Sequence, residues 1–591
     1  MGLQNEQTKF LKNKVIIHSQ GRLCDTANEL LQSLPFRTLL ENVLDDLARR
    51  GSPMLEIFGE KGMTREGIDN LVQTFQYLTI LERSVIPNIL PESAVFFADP
   101  GKLLDFVEYL YNAWRNYDRF VIVSGMNGQR VDDRPYRTFN NTVEKLMHLV
   151  IATYRDIAEN ISGAHPRIYR QARAGVDIGT IVSSEPSATG WISQLAAPYD
   201  RLQHVPLIRQ VLLYPPLVLN PPMNKRAGKF QRIDENPLAL VDLDKDEWIA
   251  YPAKVGDLLI LTYIHEEFLE LGLSLCNLFE LAEDEDLEKP PDAIYLFGVP
   301  GNTLNKYGDL PTVFYDDEEN GLLIGAIPNE SRFGYFGYLK KMILTLHNIT
   351  VMKRGRLPFH GALVNITLNQ TCYTVLLVGE SGAGKSETLE AFRVLSEDML
   401  QDMTIIADDM GSLEITNGTV LGFGSEIGAF IRLDDLQPGY EFGQMGRAIF
   451  MNPSQTNSRL LLPITSYAHV NEGYPVDIVM YANNYQEVDD SHPVIERFPD
   501  NEAALAVFRE GKVMSKGTTT SSGIVQSYFG NIFGPPQYFD LHEELASRYF
   551  EHFFKHNVFV GQLRTRLGLQ GWETSGPEEA AKTLISLLQN Q

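Results

Sequence analysis

Gly379-Glu380-Ser381-Gly382-Ala383-Gly384-Lys385-Ser386 constrains this chain more than any other stretch, because it reads G-x-x-x-x-G-K-[ST]. The apolar run Thr374–Val378 enters it as a strand, and Glu387–Ser396 leaves it as a helix. Each position has a chemical reason. Glycines let backbone N–H groups turn inward around phosphate oxygens. Lys385 would neutralise β and γ oxygens, and the Ser386 hydroxyl would ligate magnesium. The helix that follows adds the positive end of its dipole.

A second apolar strand, ending Ile405-Ile406-Ala407, runs into the carboxylates Asp408 and Asp409. Carboxylates at a strand end beside a phosphate-binding loop are where a hard divalent cation sits.

Bulk properties narrow the rest. At 591 residues the chain is expected to form two or three domains. Its net charge of −25 argues against nucleic acid or anionic lipid as a partner. A phosphate or carboxylate site must then be a cationic hole in an acidic protein. The three cysteines, Cys24, Cys276 and Cys372, form no C-x-x-C pair and suit a reducing compartment. The N-terminus lacks the charged-then-apolar signal-peptide pattern. The longest apolar candidate, Leu258–Leu281, is interrupted by His265, Glu266, Glu267 and Glu270. These features predict a cytoplasmic protein with no membrane partner.

Spacing predicts helices over Ala27–Leu47, Gly67–Leu81, Phe106–Trp114 and Thr142–Ile161, with a short strand at Phe120–Val123. Between about Gly163 and Gly228, Pro, Gly and short apolar runs suggest strands and ordered loops. The acidic runs Glu283–Asp286 and Asp316–Asn320 read as solvated loops or helix ends. Beyond residue 330 the pattern is α/β. Helices are expected at Gly337–Ile349 and Glu543–Lys555, and a strand at Val476–Tyr481.

Several motifs in order carry a resemblance. Phe359-His360-Gly361-Ala362, the loop with Glu387 after it, and Ile406-Ala407-Asp408-Asp409 resemble the core of HPr kinase/phosphorylase. The flanks resemble the phosphoenolpyruvate carboxykinases more closely. Tyr335-Phe336-Gly337-Tyr338-Leu339-Lys340-Lys341 is similar to their Tyr-Gly-Gly-Glu-Met-Lys-Lys stretch. Asn457-Ser458-Arg459-Leu460-Leu461-Leu462-Pro463-Ile464 is similar to Asn-Thr-Arg-x-x-Tyr-Pro-Ile. Phe508–Gly523 resembles their mobile lid, and Val525–Gly530 the element after it. The match covers about residues 330–535. It departs at Phe336 and Tyr338, which stand at the family's Gly and Glu, and at Met410–Leu413 after the aspartates.

That resemblance implies an α/β, carboxykinase-like two-domain architecture. Residues 1–330 would be an N-terminal domain with an extra helical region, and 331–591 a C-terminal domain holding the P-loop. It implies interconversion of oxaloacetate with phosphoenolpyruvate and CO₂, in a monomer. Gly379, Ser381, Gly382, Ala383, Gly384, Lys385, Ser386 and Glu387 would bind the nucleotide, with Phe529 as a wall against its base. Lys341, His360 and Asp409 would ligate Mn²⁺, while Ser386 and Asp408 would serve Mg²⁺. Arg459 would pair with a substrate carboxylate or the moving phosphoryl group. A further arginine is sought among Arg130, Arg134, Arg170, Arg173 and the Lys225-Arg226-x-x-Lys229 cluster. Arg173 is preferred, because Ala174-Gly175 permits close approach. ATP, GTP and pyrophosphate all stand as donors. An HPr-kinase-like kinase of a protein or small-molecule hydroxyl is the alternative, with one of Asp408 and Asp409 as base. A nucleotide sensor without catalysis is a third.

Overall fold

The computed structural model describes residues 7–19, 23–124, 135–163, 172–183, 197–396, 400–433, 445–515 and 523–590. Contacts gather the chain into two units. One is Met1–Ser184 with Ile208–Tyr214, and the other is Glu185–Leu207 with Pro215–Gln591.

In the N-terminal unit, apolar stripes at helical spacing are buried on the helices Leu34–Arg49, Arg65–Leu78 and Pro100–Arg115. Each starts where the chain supplies a cap: Ser33, Thr64 and Asp99 accept from first-turn amides. The helix Pro135–Ser162 joins them. The unit also holds a five-stranded sheet, in the order Gln7–Phe10, Lys14–Ser19, Asp118–Ser124, Ile178–Val182, Ile208–Leu213. Its two inner pairings are parallel. The expected strand at Phe120–Val123 is therefore its centre. Two strands at the start of the chain were not expected. Only Val15, Ile16 and Ile17 mark them as buried, too short a run to read as strand.

The second unit is mixed α/β. A seven-stranded sheet runs Glu280–Leu281, Trp248–Val255, Leu258–His265, Ala293–Val299, Leu322–Pro328, Val313–Asp317, Gln231–Ile233. Its centre is buried on both faces, which is why its strands read as continuous apolar runs. A nine-stranded sheet is built around Leu357–Leu368, Thr371–Val378, Ile478–Asn483 and Phe559–Arg564. Helix Phe336–Lys353 is buried on nearly every side and packs against strands of both sheets. That shared helix explains why the chain does not divide at the expected boundary near 330. Residues 215–330 build the sheet that covers it.

One acidic run departs from expectation. Asp316 and Asp317 end a strand and are 6% and 7% exposed. Asp316 accepts from Lys353 and Tyr538, and Asp317 from Tyr199 and Asn320. These partners balance the charge that would otherwise hold such a run in water. Among the described residues, no helix is long and apolar enough to cross a membrane.

Candidate active site

The glycine-rich loop leaves the C-terminal end of strand Thr371–Val378, which pairs antiparallel with Leu357–Leu368 and parallel with Ile478–Asn483. Gly382 and Gly384 adopt φ of +79° and +92°, so the turn needs them. At Gly384 a Cβ would also lie 2.5 Å from Thr565 Oγ1. Neighbours hold the loop carbonyls. The Thr565 hydroxyl donates to Ala383 O at 2.7 Å, and the Asn484 amide to Gly382 O at 2.9 Å. Lys385 Nζ donates to Gly379 O at 2.7 Å and Glu380 O at 3.1 Å. The helix Lys385–Leu395 that follows has no side-chain cap, so its first amides keep no side-chain acceptor at that end. Ser381 and Ser386 are exposed, Glu387 is half-buried and Lys385 is buried. Burial lowers the Lys385 pKa, against the pull of Asp409 and Asp408. Gly379 and Ala383 close the base of the turn, a Gly379 Cβ lying 3.1 Å from Ala383 Cβ.

Asp408 and Asp409 occupy the step between strands Leu400–Ala407 and Met410–Thr416. Both strands pair with Leu357–Leu368, at Leu363↔Ala407 and His360↔Met410. The step therefore lies opposite Gly361-Ala362, next to His360. Gly361 N donates to Asp409 O at 2.9 Å, and Gly379 N to His360 O at 3.0 Å. A side chain at Gly361 would lie 2.3 Å from Leu377 O, so this close approach requires glycine. Loop, histidine and carboxylates are thus joined by backbone hydrogen bonds, independent of any ligand.

His360 Nε2 lies 2.8 Å from Asp409 Oδ1, and Asp409 Oδ2 lies 2.7 Å from Lys340 Nζ. Lys340 Nζ also lies 2.9 Å from Glu426 Oε1, and Glu426 Oε2 has no hydrogen-bond partner. Burial would raise Asp409, but Lys340 and His360 hold its carboxyl well below the ordinary range. Burial opposes charge on Lys340, yet Asp409 and Glu426 raise its pKa. Glu426 is pushed up to about 8 by burial, which Lys340 only partly offsets. Asp408 is raised by burial and by Asp409 beside it. Lys340 and Glu426 were not anticipated: of the Lys340-Lys341 pair, the resemblance gives a role to Lys341 alone. A signal exists in Gly424-Ser425-Glu426-Ile427-Gly428. Both glycines meet neighbouring backbone too closely for a Cβ, at Ile406 O and Asn277 O, which marks Glu426 as interior.

Lys341 carries no carboxylate partner among the described residues, and its ammonium lies 4.7 Å from the Phe533 ring centroid. Burial, then the charge of Arg226, lowers its pKa to about 8, against the pull of Asp409. The charge of Arg226 thus reaches Lys341. Asn457, at φ +61°, donates to Asn224 O at 2.6 Å, and Asn224 to Thr456 O at 2.7 Å. Those bonds tie residues 224–226 to the turn before Arg459. The Tyr338 hydroxyl fixes the next turn, accepting from Ala227 N at 2.9 Å and donating to Ala227 O at 3.1 Å. Arg226 donates to Gly228 O at 2.7 Å, and Arg459 to Asn457 Oδ1 at 3.0 Å. The Nε atoms of both arginines are buried without a partner.

Arg173 is exposed in the N-terminal unit, where it donates to Tyr214 O. One expectation is corrected. Phe529 is 4% exposed and packs against Phe508, His542 and Phe550. It is a core ring and offers no wall to a base. Of the lid, Lys512–Ser515 pairs with Gly523–Gln526 as a hairpin; residues 516–522, like Arg130, Arg134 and Arg170, lie outside the described residues.

The residues for a transition metal can be tested for fit. Gly530 O can only accept, and it is within hydrogen-bond reach of His360 Nδ1. Nδ1 therefore carries the hydrogen, and the Nε2 lone pair faces the Asp409 carboxylate at 2.8 Å. Two acceptors at that distance need a proton or a cation between them. A backbone-fixed tautomer is also the usual support of a histidine ligand. His360 and Asp409 therefore fit two ligands of such an ion. Among the described residues, no group of three or more His, Cys, Asp or Glu is arranged for a metal, and this set contributes only two. Ser386 and Asp408 face a separate cleft of ≈460 Å³, shared with Thr404 and Thr465. No protein-family profile and no curated protein sequence matches this chain.

Proposed function

We propose that this chain is a nucleotide-dependent phosphoryl-transfer enzyme of the phosphoenolpyruvate carboxykinase type, acting on oxaloacetate and phosphoenolpyruvate. The observation that carries the reading is the set Lys341, Arg226 and Arg459. These three cations lack carboxylate partners among the described residues, and Asp409, joined by backbone hydrogen bonds to the glycine-rich loop, acts electrostatically on Lys341. In an acidic protein, such a set suits a small polyanion.

The residues divide the work by chemistry. The loop amides and Lys385 hold β and γ phosphates, with Ser386 and Asp408 holding Mg²⁺ at the nucleotide. ATP, GTP and pyrophosphate remain equal candidates as donor. His360, Asp409 and neutral Lys341 would hold Mn²⁺, which supplies positive charge where an enolate oxygen develops. Arg226 grips the substrate carboxylate. Arg459 meets the transferring phosphoryl oxygens, where a preorganised cation contributes most. Lys340, held in turn by Glu426, keeps Asp409 ionised and aimed. The three cysteines form no disulfide, which supports a cytoplasmic setting.

A kinase of a hydroxyl group is the second reading. It is favoured by the cleft beside Ser386, where Asp408 has a raised pKa suited to a general base. A coupled assay separates the two. Phosphoenolpyruvate and bicarbonate are supplied with Mn²⁺ and Mg²⁺, and with ADP, GDP or phosphate in turn. Oxaloacetate formation with one acceptor, lost in Lys341→Ala, is the expected result. Nucleotide hydrolysis without oxaloacetate from any acceptor would overturn the carboxykinase reading.

A further inference from the structure

The N-terminal unit contains a cavity of ≈110 Å³ that the reaction above does not use. Its walls come from the helices Leu34–Arg49, Pro100–Arg115 and Pro135–Ser162, with Phe75 from Arg65–Leu78. Leu39, Leu110, Trp114 and Leu146 are typical of the lining, each at most 9% exposed. Protein interiors are ordinarily close-packed, and a void forfeits the dispersion contacts of every atom around it. An engineered apolar cavity of about 150 Å³ stays dry and takes up benzene. A space of this size therefore matches about one six-membered ring or a short branched chain.

Of the few polar groups in the lining, one stands out. Thr153 is 4% exposed, and its hydroxyl has no hydrogen-bond partner. Several helical threonines return their hydroxyl to the carbonyl four residues back, though buried Thr388 does not. Thr74, Thr345 and Thr350 do so at 2.7–2.9 Å. Thr153 forgoes that bond while lining the cavity. A buried hydroxyl without a partner is expensive, and one complementary group in the void would satisfy it. Water is a poor candidate, since it needs two to four polar partners. The other hydroxyl of a small side chain here, Ser33, already caps a helix at Phe36 N. No Lys, Arg, Asp or Glu lines the space, so the occupant is uncharged.

We propose that this cavity is a binding site for a small, uncharged, mainly apolar molecule carrying one hydrogen-bonding group that meets Thr153. The Tyr111 and Tyr154 rings, stacked at 4.0 Å, form one wall and favour a flat ligand. All the lining residues belong to the N-terminal unit, so the site is independent of the phosphoryl-transfer reading.

The test uses the full chain with phenol and toluene as probes, followed by calorimetry and by Trp114 fluorescence. Phenol is expected to bind several-fold more tightly than toluene. Thr153→Val keeps the shape but removes the hydroxyl, so it should bring phenol down to the level of toluene and leave toluene unchanged. Val150→Phe fills the space and should abolish both, with the circular dichroism of the folded protein retained. Failure of both probes to bind the wild type up to their solubility would overturn the proposal. So would a phenol preference that survives Thr153→Val. If Val150→Phe does not fold, the Thr153→Val ratio decides alone.

Discussion

The glycine-rich loop and the cluster around Asp409 are joined by hydrogen bonds, yet they handle buried charge in opposite ways. Lys385 is 7% exposed and, among the described residues, donates to the carbonyls of Gly379 and Glu380 and to no carboxylate. Lys340 is 2% exposed and sits between Asp409 and Glu426. The first region holds positive charge with carboxylates near but none paired to it, and gains from an incoming anion. The second is already compensated. The same contrast separates neighbours in one helix, since Lys341 lacks the partners that Lys340 has. Similar residues one position apart can thus be scaffold and reagent, and the pairing tells which is which.

The strongest way to break this contrast is Lys340→Met. It leaves Asp409 and Glu426 buried without their cation, so stability should fall by about 3–5 kcal/mol in urea unfolding. A loss below about 1 kcal/mol would mean that the cluster is not held by that lysine. Lys385→Met should behave the other way. It should barely change the urea midpoint, while single-turnover phosphoryl transfer drops about 10²–10³-fold. Destabilisation equal to that of Lys340→Met would erase the distinction.

Titration sharpens the comparison with a smaller effect. Lys341 has a folded pKa of about 8, against 10.5 for an ordinary lysine. Between those values the unfolded chain binds more protons, so this group's contribution to stability rises with pH from about 8 upward. Below about 8 both states are charged and the slope vanishes. In metal-free protein, the wild type should gain stability relative to Lys341→Met between about pH 7.5 and 10. A flat difference would show that Lys341 is not desolvated. The smallest effect is expected for Tyr338→Phe, which releases the Ala227 turn carrying Arg226. Stability should change by about 0.5–1.5 kcal/mol, and KM should rise a few-fold with kcat nearly kept. A lower kcat at unchanged KM would argue against a role in substrate binding.

The loop, His360 and the two aspartates were legible because each is a local pattern: a strand ending in glycines, or a strand ending in carboxylates. The helices of the N-terminal unit were legible for the same reason, through spacing and caps. Arg226 was among the candidates but could not be singled out, because its position depends on asparagine bonds between residues about 230 apart and on the hydroxyl of Tyr338. Glu426 escaped notice because only tertiary packing shows that its flanking glycines are pressed against other strands. The contact units do not divide near 330 because one largely buried helix, Phe336–Lys353, serves two sheets, and composition does not reveal a shared core. Phe529 misled because aromatic letters look alike whether they face a ligand or the interior.

Gly530 has a wider consequence. Its φ is +69°, and a Cβ there would lie 2.8–3.0 Å from the backbone of Gly379 and Glu380. Its carbonyl meets His360, while Ser527 and Asn531 on either side grip the Glu380 carboxylate. Segment 527–531 therefore works as a latch whose keeper is the loop itself. Because Ser527 follows strand Gly523–Gln526, a displacement of Glu380 would act on that strand and on the support of the imidazole together.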